Sequence, residues 1–328
     1  MIKVAINGFG RIGRPTFKRL IENKNVKVVA INDLADTKTL AHLLQYDSAY
    51  GKYSKKVDFT KKGIKVNGKE YLVLSEKDPS KLPWKKLGVD VVLECTGFFT
   101  KYEDAKLHLK AGAKKVIISA PSKSEEIKTF VIGGNEDKYN SEDIVSMASC
   151  TTNCLVPVLK ILNDNLGIEK GAMTTIHSYT SSQKLVDSPH KDLRRARAAA
   201  INFMPTTTGA AIATIQVLPE LKGKICGIAV RVPTISGSIS DITVKVSKDT
   251  SVDEVNKIFE KAKSKILDVS DEELVSSDYI GNSHSAIIDK QFTLVEGKNL
   301  VKVLAWYDNE FGYSCRLAEF AEFIGKKI

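Results

Sequence analysis

Cys150 and His177 are the two side chains in this sequence best placed, by type and setting, for covalent chemistry. The run Ser149-Cys150-Thr151-Thr152-Asn153-Cys154 stands where a β-branched segment gives way to a helical pattern. A cysteine at such a junction faces the positive end of the helix, a position that favours the thiolate. Cys154, one turn on, reads as a small buried hydrophobe. The two could share a helical face, but no CxxC pair or close histidine cluster adds the remaining ligands of a zinc or iron–sulfur site, so no metal is expected. Residues 172–180 alternate like a strand, which sets the His177 ring on one face as candidate base and ion-pair partner of the thiolate.

A second group of residues points to a bound nucleotide. An apolar run at the N-terminus leads into Gly8-Phe9-Gly10-Arg11-Ile12-Gly13, a GxGxxG spacing that opens a helix. Gly8 permits the tight turn, Gly10 lets the backbone approach a pyrophosphate, and Gly13 allows close packing of helix on strand. The next β-branched run ends at Asp33, 20 residues beyond Gly13, where a carboxylate accepts hydrogen bonds from a ribose. A carboxylate there repels the extra phosphate of NADP, so NAD is the expected cofactor.

These side chains need elements to hold them. In the first half, short apolar runs at residues 2–6, 26–31, 89–93, 115–119, 130–132 and 144–147 alternate with helical patterns, which predicts a mostly parallel sheet covered by helices. Residues 53–74 read as a hairpin at the sheet edge, turning at Val66-Asn67-Gly68-Lys69. After Cys150, Leu155, Leu159, Leu162 and Leu166 fall at helical spacing. Extended runs come next at 173–179, 225–232, 238–246, 285–288 and 300–307, and predict a largely antiparallel sheet. The expected fold is thus α/β: a Rossmann-type, doubly wound, mostly parallel domain over 1–149 and an α+β catalytic domain over 150–311, with a closing helix at 312–328 returning to the first.

Composition narrows the setting. No apolar run approaches a membrane span, and the N-terminus reads as a strand rather than a signal peptide. Five cysteines, an odd number spread through 328 residues, fit reduced thiols in a cytoplasm better than a disulfide framework. The net charge of +10 (49 basic minus 39 acidic side chains) attracts anionic ligands without choosing among them.

Taken in order, Asn7-Gly8-Phe9-Gly10-Arg11-Ile12-Gly13-Arg14, the run from Ser149 to Cys154, Thr206-Thr207-Thr208-Gly209-Ala210-Ala211, Arg231-Val232-Pro233-Thr234 and Trp306-Tyr307-Asp308-Asn309-Glu310 span the chain, which resembles the phosphorylating glyceraldehyde-3-phosphate dehydrogenases. The resemblance implies a glycolytic oxidoreductase that uses NAD and inorganic phosphate to convert glyceraldehyde 3-phosphate to 1,3-bisphosphoglycerate. It implies Cys150 as nucleophile and His177 as base, and Arg231 and Thr180 as ligands of the substrate phosphate. Ser149, Thr151, Thr208 and Gly209 are then the acceptors of the attacking phosphate. Arg11 and Ile12 fall to the pyrophosphate, Asp33 to the ribose, Thr96, Gly97 and Ser119 to the interior of the cofactor, and Asn309 to the nicotinamide carboxamide. The chemistry is coherent in itself, because a free aldehyde lacks the electron push to expel hydride and a thiolate adduct supplies it.

The family pattern is not matched everywhere. Ser188 precedes Pro189 where NAD-specific bacterial members often carry Leu, and resembles forms that tolerate NADP, so NADP use stays open. Ser181 and Ser182 replace a frequent Asn-Asp pair, and Lys77 stands where Arg is common. Lys184, His190, Lys191, Arg194, Arg195 and Arg197 invite a nucleic-acid reading, but stacking aromatics are sparse and the segment resembles the loop at the core of a homotetramer. Erythrose-4-phosphate dehydrogenases share the thiol and histidine but use water as acceptor, and Thr180 with Thr208-Gly209 argues for phosphate. Semialdehyde dehydrogenases and a non-enzymatic RNA-binding or adhesion role are the remaining alternatives, separated by substrate and by the need for Cys150.

Overall fold

A computed structural model describes residues 1–122 and 124–328. The chain divides into two compact units, one of Met1–Phe130, Asp137–Ser149 and Ser314–Ile328, the other of Val131–Glu136 and Cys150–Tyr313.

In the first unit β1 (Ile2–Asn7), α1 (Gly13–Leu20) and β2 (Val26–Asn32) form the opening βαβ turn. Next come α2 (Thr37–Gln45), the short β3 (Tyr46–Asp47) and β4 (Gly51–Lys52), then β5 (Val57–Phe59), β6 (Gly63–Val66) and β7 (Lys69–Leu74). The remaining elements are α3 (Trp84–Leu87), β8 (Val91–Glu94), α4 (Tyr102–Lys110), β9 (Lys115–Ile118), β10 (Lys128–Thr129) and β11 (Ile144–Ser146). The sheet order is β10-β11-β9-β8-β1-β2-β7-β6-β5, parallel from β10 to β7. Only the β5-β6-β7 edge is antiparallel. The chain moves outward from β1 in both directions, and in doubly wound sheets such a reversal is the switch point at whose carboxyl edge ligands bind. Continuous apolar runs fill the centre: Val4, Ala5, Ile6, Val91, Val92, Leu93 and Val116 to Ile118 are fully enclosed, as a sheet covered on both faces requires. The hairpin turns at Asn67 (φ 48°) and Gly68 (φ 83°), two left-handed residues in succession.

One expected strand is displaced by two residues. The strand there is Lys128–Thr129, and of residues 130–132 the Phe130 N–H still donates to the Ser146 carbonyl of β11 at 2.8 Å. Phe130 instead packs its ring on Tyr139 and Phe320, with centroids 5.6 and 5.8 Å away. A three-residue apolar run carries too little periodicity to separate a strand from a core-filling loop. The closing helix of the chain, Phe311–Gly325, belongs to this unit from Ser314 onward and is tied in by Glu322, which accepts hydrogen bonds from Asn23 and Asn25.

The second unit begins with α5 (Cys150–Leu166) and β12 (Ile168–Ser178), followed by β13 (Met204–Thr207), α6 (Ala210–Val217), β14 (Ile225–Val232) and β15 (Ser238–Val246). α7 (Val252–Lys261), β16 (Leu267–Ser270), β17 (Ala286–Glu296) and β18 (Leu300–Tyr307) complete it. The sheet order is β13-β14-β12-β15-β18-β17-β16. Pairs β12/β14 and β16/β17 are parallel and the rest antiparallel. Leu155, Leu159, Leu162 and Leu166 of α5 are all buried, and α5, α6 and α7 cover one face of this sheet. No described helix is long and apolar enough to cross a membrane.

Candidate active site

Cys150 is the first residue of α5. Ala148 takes a left-handed conformation (φ 53°), which turns the chain sharply between β11 and the helix. In the second unit, Cys150 Sγ lies 3.3 Å from His177 Nε2. His177 is the penultimate residue of β12 and is buried, and its Nδ1 is 2.7 Å from the Ser178 carbonyl oxygen and 2.7 Å from Arg231 Nη1. Arg231 Nη1 also donates to the Ser178 oxygen at 2.9 Å. One donor and one acceptor thus stand beside Nδ1, and either ring tautomer finds a partner.

Burial and the neighbouring Arg231 charge both act on this pair. Burial, then the Arg231 charge, pushes His177 down to about 3. Burial pushes the Cys150 thiol up, against the pull of Arg231 and Thr151. The helix-end position that favours thiolate is therefore opposed by desolvation. Cys154 is fully enclosed and its thiol is pushed up by burial.

Hydroxyls and cations stand on the elements that carry and follow this pair in the second unit. Thr151 Oγ1 is 3.0 Å from the buried Tyr307 hydroxyl, which also reaches Thr175 Oγ1 at 2.8 Å and sets its ring edge-on to His177. Arg231 Nε is buried with no protein acceptor, a donor suited to an anionic ligand. Arg195 donates to Thr206 Oγ1 at 2.9 Å, and its charge reaches Arg231. Thr208 Oγ1 accepts from the Ala210 N–H at the start of α6, and a side chain at Gly209 would meet nothing within 4 Å. Thr180 lies just beyond β12 and pairs its hydroxyl with Ser182 at 2.9 Å rather than with Arg231. Asn309 Oδ1 accepts from Ser238 Oγ at 2.8 Å, which leaves its amide nitrogen as the group offered to a ligand. Ser238 also accepts from the Ser178 N–H, so the His177 strand end and Asn309 share one hydroxyl. The sequence does not single out Ser238, Tyr307 or Arg195 as site residues; only the alternation of their strands and the basic loop hint at them.

The residues expected to hold the cofactor in the first unit stand at or just beyond the carboxyl ends of its central strands. Gly8 has φ 94°, and a Cβ on Gly13 would lie 2.1 Å from the Gly8 carbonyl oxygen, so the turn and the close packing both exclude a side chain. A Cβ on Gly10 or Gly97 would meet nothing within 4 Å, so the backbone is open on that side. Asp33 Oδ2 accepts the Phe9 N–H at 2.8 Å and Oδ1 the Ala35 N–H at 3.0 Å, tying the end of β2 to the glycine loop. Arg11 pairs with Asp47 at 2.5 Å and lies over the Tyr50 ring, and Ile12 is the residue before α1. The Ser119 N–H donates to the Glu94 carbonyl, and Thr96 and Gly97 lie just beyond β8. Ser149 immediately precedes Cys150 in the chain. Among the described residues no group of three or more His, Cys, Asp or Glu is arranged to hold a metal ion.

Two family models match this chain. Residues 2–102 match the NAD-binding domain of glyceraldehyde 3-phosphate dehydrogenase, and residues 149–309 match its C-terminal domain. The chain belongs to the glyceraldehyde-3-phosphate dehydrogenase family. Glyceraldehyde-3-phosphate dehydrogenase 1 of Bacillus subtilis is 54% identical over 332 aligned positions, covering 99% of each chain. The glyceraldehyde-3-phosphate dehydrogenases of Geobacillus stearothermophilus and Streptomyces coelicolor are 52% and 51% identical over essentially full length. The glycine loop and Asp33 fall in the NAD-binding match, and Cys150, His177, Arg231 and Asn309 in the C-terminal one.

Proposed function

We propose that this chain oxidises D-glyceraldehyde 3-phosphate to 1,3-bisphosphoglycerate with NAD and inorganic phosphate. The observation that carries the reading is the 3.3 Å approach of Cys150 Sγ to His177 Nε2, with the Arg231 guanidinium on the far side of the ring. His177 takes the thiol proton as sulfur adds to the aldehyde carbon and returns it to the carbonyl oxygen, giving a hemithioacetal. His177 then removes the hydroxyl proton as the carbon loses hydride, leaving a thioester on Cys150. NAD, when bound, supplies the acceptor for that hydride. Phosphate attacks the thioester carbon and Cys150 leaves as thiolate. Arg231 and Thr180 hold the substrate phosphate, and Ser149, Thr151, Thr208 and Gly209 the attacking one. In the first unit Gly8, Gly10, Arg11, Ile12, Gly13, Asp33, Thr96, Gly97 and Ser119 bind NAD, with Asn309 on its carboxamide. The first unit is thus the NAD domain and the second the catalytic domain.

Measuring NADH formation with glyceraldehyde 3-phosphate and with erythrose 4-phosphate, each with and without inorganic phosphate, tests this. Phosphate-dependent turnover of the triose supports it; phosphate-independent turnover favouring the tetrose overturns it.

A homotetramer in the cytoplasm belongs to the same reading. The segment between β12 and β13 exposes Leu185, Leu193, Ile201 and Phe203, each at least 74% accessible, and Ile228 on the uncovered face of the second sheet is half exposed. Apolar surface of that extent fits burial against further copies. Sedimentation equilibrium at the mass of one 36.1 kDa chain would remove that part of the proposal.

A further inference from the structure

Glu94 ends β8 as a fully enclosed carboxylate, and every hydrogen bond its side chain makes is one that it accepts. Its Oε1 takes the Thr96 N–H at 2.7 Å and the Thr96 hydroxyl; its Oε2 takes Asn7 Nδ2 at 2.6 Å and lies 3.1 Å from His108 Nε2. Trp84 Nε1 donates to His108 Nδ1 at 3.0 Å. An indole N–H cannot accept, so Nδ1 carries no proton, Nε2 does, and the neutral ring donates to Glu94. Three consecutive donors and acceptors therefore run in one direction, from indole to imidazole to carboxylate.

The same direction continues on the other side. Because Asn7 must turn its NH2 toward Glu94, its Oδ1 faces Asn32, which donates to it at 2.7 Å. Asn32 in turn donates to the Glu76 carbonyl and accepts the Glu76 N–H. Asn32 precedes Asp33, and Asn7 precedes Gly8. Thr96 is packed so close to the glycine loop that a Cβ on Gly8 would come within 2.7 Å of its nitrogen. Asn32, Asn7 and Glu94 lie at the carboxyl ends of β2, β1 and β8, the edge where a doubly wound sheet receives its dinucleotide.

We propose that Glu94 is a positioning residue for the dinucleotide site: held by His108 and Trp84, its carboxylate sets the amide orientations of Asn7 and Asn32 and pins Thr96 against the glycine loop. A buried carboxylate is a costly filler, and apolar side chains of equal volume would serve stability as well or better. What an apolar side chain cannot do is impose one polarity on three neighbouring strands. Glutamine at position 94 would keep the shape but present an NH2 either to Thr96 or to Asn7 and His108, setting donor against donor.

The proposal rests on the NAD reading, so NAD binding to the unaltered full chain is measured first by calorimetry. Absence of binding there defeats that reading; with binding established, the variants bear on Glu94 alone. Glu94→Gln is expected to weaken NAD binding about 10-fold or more and raise KM for NAD alike, with kcat at saturating NAD and KM for the aldehyde within about 3-fold. Alkylation of Cys150 without NAD should stay within about 2-fold, reporting an intact second unit. His108→Gln, which keeps a donor for Glu94, should hold NAD within about 3-fold of the unaltered protein, while His108→Leu loses about 10-fold. This pair decides the matter if Glu94→Gln does not fold. NAD binding by Glu94→Gln within about 2-fold of the unaltered protein, equal NAD affinities in the two His108 variants, or a uniform rise in every KM would overturn the proposal.

Discussion

Arg231 Nη1 and Cys150 Sγ address opposite nitrogens of one imidazole, 2.7 Å from Nδ1 and 3.3 Å from Nε2 of His177. The base is thereby made weak: burial all round and a guanidinium at one edge disfavour the imidazolium. The proton transfer then rests on the 3.3 Å proximity of sulfur and ring rather than on the basicity of the free imidazole. His177→Asn is expected to lower kcat by roughly 10²–10⁴ while KM for NAD holds within about 3-fold, in steady-state assays.

The same residue makes folding stability depend on pH. His177 is held at about 3 in the folded chain against 6.5 when unfolded, so between those values the unfolded chain binds a proton that the folded chain does not. Stability contributed by the neutral ring is complete above pH 6.5 and is lost as pH falls toward 3. Denaturant midpoints at about pH 4 and about pH 7 should therefore differ less in His177→Asn than in the unaltered protein.

Cys150 and Cys154 lie one helical turn apart but face different surroundings. Cys150 keeps partial exposure and a base within reach, whereas Cys154 is fully enclosed. Iodoacetamide followed by peptide mass mapping should find the label on Cys150 and not on Cys154, at a rate that falls about 10-fold or more in His177→Asn. Equal labelling of the two thiols would contradict an activated sulfur at position 150.

Arg231 carries a buried Nε with no protein acceptor, so it has hydrogen-bonding capacity to spend on an anion. Arg231→Leu is expected to raise KM for glyceraldehyde 3-phosphate by about 10- to 100-fold. Arg231→Lys keeps the charge and loses the fork, and its KM should fall between those of the unaltered protein and Arg231→Leu. A KM unchanged in both variants would place the substrate phosphate elsewhere.

Asp33 has its two oxygens engaged by backbone N–H groups at 2.8 and 3.0 Å, yet a carboxylate has lone pairs to spare for a ribose. Asp33→Ala should weaken NAD by about 10-fold and narrow its lead over NADP, measured as kcat/KM for each. Ser188→Leu should widen that lead if the serine is what admits the extra phosphate.

Much of this is legible in the sequence because it is local. The glycine spacing, Asp33 at the end of the next strand, the leucine repeat of α5 and the Asn67-Gly68 turn are all patterns within a few residues, and the structure has the doubly wound sheet and the antiparallel sheet they imply. What is not legible shares a cause too. Phe130 resembles a strand residue in the sequence because its packing on Phe320 spans 190 residues and leaves no periodic trace. The desolvation that pushes the Cys150 thiol up is not revealed by a helix-end position in a sequence. Glu94, Asn7, His108 and Trp84 come together from separate segments, and no motif joins them.

His177 and Arg231 are register partners on the parallel strands β12 and β14, with Ser178 opposite Val232 one step further. The sheet therefore acts as a ruler between base and cation. Their separation is set by the interstrand repeat rather than by loop conformation, and neither can drift without breaking the ladder. Changes in what this enzyme accepts are left to the loops at the rim, where Thr180, Ser188 and Thr208 sit, because the proton-transfer gauge beneath them is built into the lattice of the sheet.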